Sequence, residues 1–116
     1  MQDRKYRGLT LRVFGRRRPA MGPGKAELVE RIATTGSISA AARAMGMSYR
    51  RAWHLVAALN KDYRERVVTT AAGGTRGGGA RVTPFGARLV AEFRAMEEKA
   101  SEAIASDLKR FERYIP

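Results

Sequence analysis

The chain contains no cysteine and a single histidine, which excludes a thiolate zinc site, a disulfide frame and a Cys/His nucleophile pair. Neither a metal nor a cofactor is therefore expected. No run approaches the roughly 18 apolar residues that a membrane span needs, and the charged residues after Met1 do not make a basic head leading into an apolar core. A cytoplasmic protein without a membrane partner is expected. What is present suffices for folding: of 116 residues, 44% are hydrophobic and 29% charged, which fits one compact domain rather than a disordered basic tail.

Acidic residues are also scarce, 11 against 23 lysines and arginines, giving a formal charge of +12. That balance suits a polyanionic partner. Residues 1–83 carry 17 basic and five acidic side chains, whereas 84–116 carry six of each, so the whole excess lies in the first part. Such segregation implies a basic face on one region and a different task for the tail.

Leu9, Leu11 and Val13 alternate with Thr10, Arg12 and Phe14, the period of a short strand, and Arg16, Arg17 and Arg18 follow it. Met21-Gly22-Pro23-Gly24 reads as a turn into a first helix, with Leu28, Ile32 and Ala33 at helical spacing and Gly36 as its stop. A second, short helix is expected with Ser39 as N-cap, Ile38 as staple residue and Gly46 as a left-handed stop. Ser48 then caps a third helix from Tyr49 to about Lys61, whose apolar stripe is Ala52, Leu55, Val56 and Leu59.

Two short helices joined through a glycine, with small Ala42 before it and apolar Ala52 and Leu55 after it, form a helix-turn-helix pattern. At 100° per residue, Arg50, His54, Ala57 and Lys61 fall opposite the apolar stripe of the third helix, flanked by Tyr49, Arg51 and Trp53. Arg50 or Arg51 has the donors to bridge a guanine edge, His54 can donate or accept, and Ser48 with the helix N-terminus can hold a phosphate. The competing reading is of ordinary solvated positions.

Arg66–Thr70 and Ala80–Thr83 are rich in β-formers and flank a glycine-dense segment, so a hairpin spanning about 66–83 is expected, the wing of a winged helix. Its glycines permit close approach to a phosphate backbone, with Arg76 and Arg81 supplying charge; a tip without contacts is the alternative. A nucleotide-binding P-loop is rejected because no Gly-Lys-Ser/Thr follows and the next element is a strand.

The strings Gly36-Ser37-Ile38-Ser39, Gly46-Met47-Ser48-Tyr49-Arg50-Arg51-Ala52-Trp53, Ala72-Gly73-Gly74-Thr75-Arg76-Gly77-Gly78-Gly79-Ala80 and Val82-Thr83-Pro84-Phe85-Gly86 together resemble the N-terminal DNA-binding domain of ModE-type molybdate-responsive regulators. A looser likeness is to the LysR-type winged helix. The resemblance covers about residues 9–115 and implies a winged helix-turn-helix that binds inverted-repeat operators as a dimer. In that family the oxyanion is held by separate C-terminal domains, so direct molybdate binding by these residues is not expected.

Thr83 as N-cap and Pro84 as first residue begin a last helix in which Leu89, Phe93, Met96, Ala100, Ile104, Leu108, Phe111 and Ile115 step by three or four. From Pro84 to Tyr114, about 46 Å at 1.5 Å per residue, it outruns a domain of roughly 13 Å radius. Phe93, Met96, Ala100, Ile104, Leu108, Phe111 and Ile115 are the expected seam of a homodimer, with a fold-back hairpin as the alternative.

The expected architecture is mainly α with a small β-hairpin wing: a winged helix-turn-helix over 1–83 and a long dimerisation helix over 84–116. The candidate DNA contacts are Ser37, Ser39, Ser48, Tyr49, Arg50, Arg51, His54, Lys61, Thr75, Arg76 and Arg81. No catalysis is expected, since the paired carboxylates available, such as Glu97 and Glu98, lie on a charged helix face without a pocket residue to tune them. Two other functions fit the same features: an adaptor that dimerises with a full-length regulator, and a nonspecific nucleoid-type DNA-binding protein.

Overall fold

The structure, a computed structural model, describes residues 8–71 and 79–116. A two-stranded antiparallel ribbon of β1 (Val13–Phe14) and β2 (Pro19–Met21) leads into α1 (Pro23–Thr35). Both residues of β1 are exposed, and the three-residue β2 offers no partner further upstream, so the strand expected over Leu9–Phe14 shrinks to its last two residues. Leu11 instead packs, partly buried, against the core.

Pro23 opens α1, and Gly36 closes it at φ 71°, donating its N–H to the Ile32 carbonyl over 2.7 Å. Ala26, Leu28, Val29 and Ile32 face inward, while Ala33, expected on that stripe, is exposed. α2 (Ile38–Ala44) starts earlier than expected, capped by Ser37 rather than Ser39: the Ser37 hydroxyl accepts from the Ala40 N–H at 3.0 Å. The reason is packing. Beginning at Ile38 turns Ile38, Ala41 and Ala42 onto one buried face, and Ser37 has the extended backbone that a cap requires.

Gly46, in the left-handed region at φ 69°, turns the chain into α3 (Tyr49–Asp62). Ser48 caps α3 by accepting from the Arg51 N–H at 3.1 Å, and Ala52, Val56 and Leu59 seal it onto α2, with Leu55 half-buried. Ala41, Ala42 and Ala52 are all essentially buried, so the two helices meet over small side chains.

β3 (Val68–Ala71) and β4 (Gly79–Val82) pair antiparallel, Val68 opposite Val82 and Thr69 opposite Arg81. This hairpin is tied to the helices at two points. The Gly36 carbonyl accepts from the Ala80 N–H at 3.0 Å. The Asn60 side chain acts as a surrogate strand edge, accepting from the Val67 and Val68 N–H groups at 2.8 and 3.1 Å and donating to the Val68 carbonyl at 2.9 Å.

Thr83 caps α4 (Pro84–Ala103), accepting from the Gly86 N–H at 2.9 Å, and a side chain on Gly86 would run into the Val67 carbonyl. Phe93, expected in the dimer seam, is only 2% exposed and belongs to the core of this chain: α4 lies against α1 there, clamped by the Arg94 guanidinium on Glu30 at 2.8 and 3.0 Å. The Glu30 carboxylate, with that of Glu97 at 2.8 Å, raises the already high pKa of Arg94.

The single unbroken helix expected from Pro84 to Tyr114 is interrupted. Ile104 leaves helical geometry at φ −110° and ψ 14°, followed by α5 (Ala105–Phe111) and a 3₁₀ turn at Glu112–Tyr114. Ser101, Ile104, Ser106 and Asp107 make this the stretch of weakest helix propensity in the segment. Ile104 still donates to Ala100 and accepts from Leu108, so the interruption is a kink rather than a reversal.

Candidate nucleic-acid interface

Because Ala52, Val56 and Leu59 hold one face of α3 in the core, Tyr49, Arg50, Arg51, Trp53, His54, Ala57 and Lys61 emerge on the other, all exposed. Of the remaining expected contacts, Ser39 and Arg81 are exposed, Ser37 is half-buried at the N-terminus of α2, and Thr75 and Arg76 lie outside the described residues. Ser48 spends one lone pair on its cap, which leaves its hydroxyl proton free to donate outward.

The charge is displayed unneutralised. No ion pair among the described residues engages Arg43, Arg50, Arg51, Lys61, Arg66 or Arg81, whereas three acids of the same region are occupied elsewhere, Asp62 with Arg18, Glu27 with Arg31 and Glu30 with Arg94, and Glu65 is exposed between Arg64 and Arg66. The Arg18 guanidinium holds the Asp62 carboxyl below the usual carboxylate range, and burial pushes the half-buried Lys25 ammonium down. Asp62, Glu27 and Glu30 thus act as struts within the fold, and the outward face of α3 carries no acidic side chain.

Between α3 and β3 runs an open cleft whose lining includes Trp53, Ala57, Asn60, Lys61, Arg66 and Thr70. The Trp53 indole is half-exposed and meets the His54 imidazole edge-on, ring centres 5.7 Å apart. An indole N–H, two cations and a hydroxyl along one cleft match the alternating sugar and phosphate of a polynucleotide strand. Arg43, Trp53, Asn60 and Arg66 were not among the expected contacts. Arg43 and Arg66 were legible as part of the basic excess but had no assigned face, and Asn60 acquires its role only once β3 lies beside it.

The expected pairing residues separate into two groups. Met96, Phe111 and Ile115 are exposed, at 44%, 60% and 59%, whereas Ala100, Ile104 and Leu108 are half-buried. Tyr114, not among those expected, is 82% exposed, its ring 5.9 Å from that of Phe111. Among the described residues, no buried polar side chain and no group of three or more potential metal ligands occurs.

A family profile described as "Bacterial regulatory helix-turn-helix protein, lysR family" matches residues 24–87, from the start of α1 to the start of α4. The chain is similar to the Molybdenum-pterin-binding protein MopB of Rhodobacter capsulatus, 44% identical over 100 residues that cover 86% of this chain and 36% of the relative. The Molybdenum transport protein ModE of Azotobacter vinelandii is 33% identical over 107 residues, 83% of this chain and 40% of the relative. The DNA-binding transcriptional dual regulator ModE of Escherichia coli (strain K12) is 34% identical over 88 residues, 73% and 34%. The chain thus spans between about a third and two fifths of the length of these curated relatives.

Proposed function

The chain belongs to the lysR family of bacterial regulatory helix-turn-helix proteins, and from that premise we propose that it is a transcriptional regulator that lays α3 in a DNA major groove and binds an inverted repeat as a homodimer. The observation that carries this reading is the outward face of α3, where capped helix geometry presents Arg50 and Arg51 exposed and without side-chain partners among the described residues. An arginine free of internal bonds keeps all its donors for a guanine edge or a phosphate. The β3–β4 hairpin stands beside α3 as a wing in this reading, with Arg81 and the cleft cations meeting the sugar-phosphate strand. Selection from a randomised duplex pool, followed by mobility shift on the recovered site and its scrambled version, tests the reading. A preference of a thousandfold or more for the recovered site supports a specific regulator. Equal affinity would replace it with a nonspecific DNA-binding protein.

The kinked last helix serves as the pairing element in this reading, through Met96, Phe111 and Ile115. Catalysis has no place in it, because an exposed cationic face offers nothing that positions or tunes an acid, base or nucleophile. Nor do these residues make a selective oxyanion site. A tetrahedral dianion requires converging, enclosed donors, and the described residues bury no polar side chain. Calorimetry with molybdate, tungstate and sulfate on this chain should show only weak, salt-sensitive heats that fail to rank the ions; selective micromolar binding of molybdate would refute this.

A further inference from the structure

The β1–β2 turn carries charge that the α3 face does not account for. Gly15 closes it by donating to the Arg18 carbonyl at 2.9 Å, so Arg16 and Arg17 occupy its two central positions, both exposed. No side-chain hydrogen bond or ion pair holds either of them among the described residues. The third arginine of the run behaves differently. Arg18 turns back and grips Asp62, the last residue of α3, with two bonds of 2.6 and 3.1 Å. Two further ties fix the same ribbon: the Tyr63 hydroxyl donates to the Ala20 carbonyl at 3.0 Å, and the Lys25 ammonium donates to the Pro19 carbonyl at 2.9 Å.

From this arrangement we infer that the Arg16–Arg17 turn is a second DNA-backbone contact, reaching phosphates outside the bases read by the start of α3. The inference rests on the DNA-binding reading above and extends it to a separate element. Two adjacent cations repel each other, and the Asp62 carboxylate that ties down the ribbon is already paired with Arg18, so the turn keeps a local positive field that a polyanion relieves. The strut to Asp62 matters as much as the charge. It presents the pair at a fixed offset from α3, which lowers the ordering cost of contact. α3 has 14 residues, about 20 Å at 1.5 Å per residue, or about six base steps of 3.4 Å. A turn pinned to its C-terminal end therefore lies about one helix length from Arg50, and in this inference it meets backbone outside the bases that Arg50 faces.

The test compares two duplexes carrying the site selected by the unaltered protein, one trimmed flush to the selected bases and one with about ten base pairs added on each side. The salt dependence of affinity is measured for wild type, Arg16→Ala/Arg17→Ala and Arg16→Lys/Arg17→Lys. Each phosphate contact contributes about 0.9 to the slope of log affinity on log salt. The alanine pair should flatten the slope by about two per protomer on the extended duplex and leave it unchanged on the trimmed one, while the lysine pair keeps the wild-type slope on both. An unchanged slope on the extended duplex overturns the inference, leaving the arginines merely solvated. Equal flattening on both duplexes also overturns it, because the contact would then lie inside the half-site. If wild type binds neither duplex, the DNA-binding reading itself fails, and that outcome is visible before any variant is made.

Discussion

At the scale of single residues, the molecule separates arginines that build from arginines that are offered. Arg18 and Arg94 are locked in two-bond clamps to carboxylates, whereas Arg50 and Arg51 have no described partner. Arg50→Ala should therefore leave stability unchanged but cost about 1–3 kcal/mol in discrimination between the selected site and scrambled DNA. Equal loss on both would reduce Arg50 to a phosphate contact, and no loss would remove it from the interface. Asp62 makes the opposite case. Its folded pKa is depressed, chiefly by the Arg18 hydrogen bond, so its contribution to stability is fully present above the unfolded carboxylate value of about 3.9 and fades as pH falls through the lower folded value. Denaturation of wild type and Asp62→Asn should show wild type more stable at pH 7, with the gap narrowing as pH falls below about 4; a gap that does not narrow with falling pH would mean that the ion pair is not its source. The outward set on α3 was legible in the sequence because it follows from the helical period and the glycine stop alone. The clamps were not, since Arg18 and Asp62 are 44 positions apart and nothing local marks them as partners.

At the scale of elements, helix boundaries followed local chemistry where one signal dominated and shifted where two competed. Gly36, Gly46, Ser48 and Thr83 act as the sequence suggests. Ser37 and Ser39 compete for the same cap, and burial of Ile38 decides for Ser37. The hairpin strands were recognisable from their β-formers, yet their placement depends on Asn60, whose side chain makes three bonds to Val67 and Val68. Removing it as Asn60→Ala strands two backbone N–H groups and a carbonyl in a partly buried seam, which should destabilise the fold by about 1–3 kcal/mol. Urea denaturation measures that loss, and amide exchange should show faster opening of β3 than of α1. Wild-type protection of β3 in the variant would show that the Gly36–Ala80 bond alone seats the wing.

For the whole molecule the decisive feature is length. The chain extends 55 Å along its longest axis against 32 and 23 Å across, and α5 with the terminal turn contributes no buried residue. Phe93 shows where the stripe divides: up to that residue it serves the core of the single chain, and beyond it Ala100, Ile104 and Leu108 are half-buried while Met96, Phe111 and Ile115 are left exposed with Tyr114. Periodicity revealed the stripe but not this division, because the depth to which α4 is covered depends on α1 lying across it. An apolar strip of this extent is rarely left open in a monomer, and pairing across a twofold axis would cover it. The neutral balance of residues 84–116 favours that pairing, since two stems of like net charge would repel between two already basic bodies. Two α3 helices held at a fixed distance then require half-sites spaced by whole turns of about ten base pairs. Met96→Lys with Phe111→Glu changes only exposed positions, so the fold should persist while sedimentation falls from the dimer to the 12.8 kDa of one chain. Binding to the selected inverted repeat should weaken far more than binding to scrambled DNA. A wild-type chain that sediments as a monomer at micromolar concentration, or a double variant that remains dimeric with full affinity, would place the pairing surface elsewhere and leave the exposed stripe unexplained.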